Sequence, residues 1–199
     1  MPHPPVRLDA GNHDTPARGR CLMEHVSELA GEPFRAWPRC THPAVAALAT
    51  QINDRITPAG RDELAARAPA QTRAHSDDPA LTWALVARCA STVLAHDPEN
   101  AVAVRRLRRA RRARRTWWVA VPPGLAGRLP QWAVVARGLA ALDELVAALH
   151  AVLAVAGPPM SADRDRTLIA LLDDVVAETT GMPELALATP ARSHQEGVA

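Results

Sequence analysis

Apolar positions recur along this chain at helical spacing. The clearest run is Leu168, Leu171, Leu172, Val175 and Val176, at i, i+3, i+4, i+7 and i+8. Ser161 caps that helix, Asp163 and Asp165 suit the positive end of its dipole, and Gly181 with Pro183 closes it. Pro130 begins the helix before it, with Leu139, Leu142, Leu145, Val146, Leu149 and Leu153 facing inward and Gly157 and two prolines as its stop. Asp78 and Pro79 open a helix over 80–96 whose apolar coverage, Leu81 and Trp83 through Cys89 to Leu94, is broad enough to make it central, with Cys89 in the core. Asp97, Pro98 and Glu99 open the next helix with the same device. Nearer the front, 21–30 is amphipathic and stopped by Gly31, and Pro33 and Pro38 pin a loop over 32–39. Pro43 opens a second helix, capped by Thr41 or His42, and Thr57 with Pro58 starts a short one that Pro69 ends. Residues 69–78 read as a connector. The expectation is an all-α protein of six or seven helices. A flexible arm over 1–17 precedes a small N-terminal helical unit over 18–69. A four-helix bundle follows over 78–182, then a flexible tail over 183–199.

Composition agrees with helices: 48% of residues are hydrophobic, mostly Ala, Val and Leu, with no Tyr and one Phe. All 23 basic residues are Arg, as strong G+C codon bias would produce, and a net charge of +2 is too small to imply a polyanion partner by itself. Three scattered cysteines form no disulfide framework and fit a reducing cytoplasm. The first residues carry no apolar stretch of a secretory leader. The most apolar window, 139–156, holds Asp143, Glu144 and His150, so no membrane span is expected. Neither Gly-rich phosphate loop occurs, nor H-E-x-x-H, nor G-x-S-x-G, and no catalytic residues are assigned.

Two groups of residues carry candidate chemistry. In the first, helical geometry over 21–30 puts Cys21, Glu24, His25 and Glu28 on one face, and the loop can bring Cys40 and His42 back toward it. Thiolate, imidazole and carboxylate are zinc donors, so Cys21, Glu24, Cys40 and His42 form a candidate metal set with zinc as its cofactor. Their spacing, C-x18-C-x-H, is not that of a standard zinc module, and cysteines packed as small hydrophobes account for the pattern more simply. Cys21 and His25, one turn apart, also fit an activated nucleophile, with no oxyanion donor in view. A third account is structural: Glu24 with Asn53 or Asp54 hydrogen-bonding between the first two helices. The wording of this stretch, from Cys21, Met23 and Glu24 through Ala30, Gly31 and Glu32 to Pro38, Cys40, Pro43, Asn53 and Asp54, resembles an uncharacterised family of small proteins found in actinobacteria and phage-like contexts. It departs at Ala36, where the family typically carries an acid. No activity is assigned to that family, so the resemblance implies none.

The second group is the helix after Glu99. Arg105, Arg106, Arg108, Arg109, Arg111, Arg112, Arg114 and Arg115 surround a stripe of Val104, Leu107, Ala110, Ala113 and Trp117. Guanidinium forks match phosphates, and Trp117 and Trp118 are suited to stack on bases, so nucleic acid or an acidic protein is the expected partner. The bland alternative is a solvated helix whose arginines pair with the chain's own 21 acids. The function expected is a cytoplasmic, non-catalytic interaction or regulatory protein, with a metal-binding protein or enzyme as the alternative.

Overall fold

A computed structural model describes residues 6–78, 80–119 and 131–181, the side chains of 117–119, 131–139 and 181 excepted. The Trp117 and Trp118 side chains and the tail over 183–199 therefore lie outside the described residues. Within them the protein is all-helical, with eight α-helices and no strand. They are α1 (Leu22–Leu29), α2 (Pro43–Asn53), α3 (Pro58–Ala65), α4 (Ala68–Gln71), α5 (Leu81–His96), α6 (Ala101–Val119), α7 (Gln131–Val155) and α8 (Ala162–Gly181).

The starts follow local chemistry. Pro43 sits in the first turn of α2 and His42 Nδ1 accepts from Ala44 N at 3.1 Å. The Thr57 hydroxyl accepts from Gly60 N at 3.0 Å to begin α3, and Ser161 Oγ from Arg164 N at 3.3 Å to begin α8. Two expectations are corrected. Pro69 does not end a helix: it lies in the first turn of α4, where its missing N–H costs nothing, so part of the expected connector is helical. The start of α6 is set by Asn100, whose Oδ1 accepts from Ala103 N at 2.9 Å, and not by Asp97 and Pro98.

The helix α5 is central, as its broad apolar coverage implies, and lies against α2, α6, α7 and α8. One hydrophobic core runs through the whole described chain, from Leu22, Met23 and Val26 across Leu48 and Ile52 to Leu85, Leu149 and Leu172. Residues 18–69 thus share their core with the bundle. A buried carboxylate reinforces the join: Asp165 on α8 accepts from Thr57 N at 3.0 Å and from the Thr57 hydroxyl. Gly60 is what permits that approach, because a Cβ there would lie 2.6 Å from Asp165 Oδ2.

Candidate functional site

The polar face of α1 faces inward. Every residue from Cys21 to Ser27 is buried, because the chain before α1 folds back across that face. Asp9 N donates to Arg20 O at 2.8 Å, Gly11 N to Asp54 Oδ1 at 2.8 Å and His13 N to Glu24 Oε1 at 2.7 Å, while Leu8 enters the core. The described part of the segment read as a loose arm, 6–17, is held down at these points.

Cys21 and Glu24 do come together, as a reciprocal helix-capping pair. Glu24 Oε2 accepts from Cys21 N at 2.7 Å and lies 2.9 Å from His13 Nδ1. Burial alone would raise the Glu24 pKa; the bonds from His13 and Cys21 outweigh it and hold the carboxyl below its ordinary range. Burial drives the Cys21 thiol the other way, up to about 12, with the Glu24 charge adding to the effect. Fully buried and pushed up in this way, the thiol at the start of α1 is poorly suited to act as a nucleophile at neutral pH. Asn53 is fully buried and joins the same network. Its Oδ1 accepts from Leu22 N at 3.3 Å, and its Nδ2 donates to Asp9 O at 2.8 Å and to Asp54 Oδ1 at 3.2 Å. The expected bond from Glu24 to Asn53 or Asp54 is not among these: Glu24 is taken up by His13 and Cys21, and Asn53 joins α2 to α1 through Leu22 N instead.

Cys40 and His42 stand elsewhere. Glu32 organises the loop, with its two carboxylate oxygens accepting from Arg39 N and Cys40 N at 2.8 Å each. Cys40 Sγ is 3.8 Å from Thr41 Oγ1, and His42 Nδ1 is occupied in capping α2. Among the described residues no three His, Cys, Asp or Glu side chains gather where a metal ion could sit. The four expected zinc donors are thus divided between two helix starts, with Glu24 and His42 committed to hydrogen bonds within the chain.

The arginines of α6 divide into two sets. Arg106 Nε lies 2.8 Å and Arg109 Nη1 3.3 Å from the two oxygens of Glu144 on α7, and Arg109 also stands over the Trp83 ring, 5.9 Å from its centroid. Arg114 Nη1 is 3.3 Å from Glu178 on α8. These three fix α6 to its neighbours, alongside buried Ala103 and Ala110. Arg105, Arg108, Arg111, Arg112 and Arg115 are exposed and form no ion pair among the described residues. At about 100° and ~1.5 Å per residue they occupy an arc of about 120° over a length of ~15 Å. Of the eight arginines expected on this surface, these five are exposed without an ion pair among the described residues, Arg109 is exposed but paired, Arg114 is half-buried and paired, and Arg106 is largely covered.

Sequence reasoning missed Glu144 and Glu178 as the acids that claim three arginines, and His13 as the partner of Glu24. An acid set in the largely apolar sequence of α7 was the available signal for Glu144. Among the described residues no helix is long and apolar enough to cross a membrane. No family model, curated protein or solved structure matches this chain, so the resemblance of the stretch from Cys21 to Asp54 supplies no residue roles.

Proposed function

We propose that this protein is a non-catalytic interaction module of a reducing compartment that docks a phosphate-backbone polyanion, nucleic acid, on the outer face of α6. One observation carries the reading: five guanidinium groups share one exposed arc and form no ion pair among the described residues. Their separation from Arg106, Arg109 and Arg114, which are taken up by Glu144 and Glu178, argues against an even solvated coat. Val102, the exposed large apolar residue of this helix, falls outside the arc, and half-buried Val104 lies at the arc's front end. Protein interfaces are built around an apolar core, so a phosphate backbone suits the arc better than an acidic protein. Binding of this kind reads charge and not base sequence.

Electrophoretic retardation of a duplex DNA and of an RNA, from about 20 mM to about 300 mM NaCl, tests the reading. Retention at low salt is expected, with log affinity falling against log salt at a slope no steeper than about −4.5, one counterion term of ~0.9 per exposed arginine. The double variant R108E/R112E is expected to abolish it. No retention at the lowest salt, or retention unchanged in that variant, overturns the proposal; capture of a polyglutamate peptide but of neither nucleic acid would replace it with the acidic-protein version.

A further inference from the structure

A cleft of about 700 Å³ opens beside the covered face of α1, with no residue of α6 in its lining. Its walls are the chain at 6–9, the His25 ring from α1 and one side of α3. Val6, Leu8, Pro58 and Ala65 give it an apolar lining, and a volume of this size is typical of small-molecule sites.

Its polar groups are unequally placed. Arg7 and Asp62 line the cleft and are both exposed, without an ion pair between them. The Asp9 carboxylate is turned toward Gly19, where a Cβ would meet Asp9 Oδ2 at 2.8 Å. Arg61, half-buried, is anchored by one end: its Nη1 donates to Asn53 O at 3.3 Å, at the end of α2, and to Ile56 O at 2.9 Å just beyond it. Its Nε is buried without a partner, and no carboxylate of the described residues pairs with it. A half-buried cation held rigidly by neutral carbonyls is left uncompensated, which is costly unless an anion arrives. The buried His25 Nδ1 has no hydrogen bond, and faces Glu28 Oε2 at 3.7 Å, so the rest of its ring is what the cleft can use. Guanidinium is the side chain best shaped to take carboxylate or phosphate.

We propose that this cleft binds a small organic anion, its apolar body against Leu8 and Ala65, its carboxylate or phosphate on Arg61, and the His25 ring alongside. The site is separate from the α6 face and stands whether or not that face binds nucleic acid.

Titration of the whole protein with phenylacetate and with phenyl phosphate, followed by calorimetry and by amide NMR shifts, tests this. Phenethylamine and benzyl alcohol are the cationic and neutral controls. At least one anion is expected to bind with shifts centred on His25, Arg61 and Ala65, and Arg61→Gln to weaken it about tenfold or more. Because Arg61 also holds the end of α2, Ala65→Leu provides a second variant that fills the cleft without touching the cation, and it too is expected to abolish binding. R108E/R112E is expected to leave binding unchanged. Failure of both anions to bind at up to about 10 mM, equal binding of phenethylamine, or shifts confined to α6 would each overturn the proposal.

Discussion

Glu24 offers the sharpest test of how the front of this molecule is held. Its carboxylate is 1% exposed and accepts from Cys21 N and His13 N, both at 2.7 Å, with His13 Nδ1 at 2.9 Å. Hydrogen bonds to a charged group contribute about 1.5–3 kcal/mol each, and stranding a buried N–H costs about 1–3 kcal/mol. Glu24→Gln keeps one carbonyl oxygen but turns an NH2 group toward a donor, so the expected loss is about 2–3 kcal/mol; Glu24→Ala, which strands both N–H groups, should lose about 4 kcal/mol. The pH dependence carries the reasoning further. The folded pKa of Glu24 is lowered, so its contribution is complete above the unfolded value of about 4.3 and is lost as pH falls through the folded one. The gap between wild type and Glu24→Gln should therefore be constant from neutral pH down to about pH 5 and narrow below about pH 4.3. Urea unfolding of both proteins across that range measures it. A gap under about 0.5 kcal/mol at neutral pH, or one that widens in acid, would refute the account of Glu24 as a charged cap.

Three further outcomes are expected. Iodoacetamide should modify half-buried Cys40 first in the native protein, leaving Cys21 and Cys89 until the chain is unfolded, because burial pushes both of those thiols to about 12; mass spectrometry of the labelled peptides checks the order. Asp165→Ala should cost about 2–4 kcal/mol in urea unfolding by stranding the Thr57 N–H, and Gly60→Ala should also destabilise, since the new methyl would press on Asp165. Glu144→Ala should lower the thermal midpoint by exposing the half-buried Arg106 to an unpaired state, a loss of about 1–2 kcal/mol, whereas Arg108→Ala should change stability by less than about 0.5 kcal/mol.

Fold class and most helix positions were legible because apolar period and punctuation agreed. Leu168 through Val176 and the Ser161 cap place α8, and Pro43 places α2. Punctuation misled where one residue has two uses: Pro69 terminates some helices and starts others, and here it starts α4. Cys21 is an unusual cap, so the Glu24 that completes the capping pair read as a candidate metal donor beside a thiol. The covering of α1 by 6–20 was not legible, since that segment owes its position to backbone hydrogen bonds on Arg20 O, Asp54 and Glu24 and not to an apolar pattern. Nor was the division of the arginines. Arg106 and Arg109 meet an acid 38 and 35 positions away, and Arg114 one 64 positions away, so their fate depends on how α6 settles against α7 and α8.

The single core that joins 18–69 to the later helices has a bearing on how the molecule comes apart. Calorimetric heating should give one endotherm, not two, and nicking the chain near His75 should not release a front piece able to stand alone. With Leu48 and Ile52 stripped of their neighbours on α5 and α7, such a fragment would carry bare oily surface and clump.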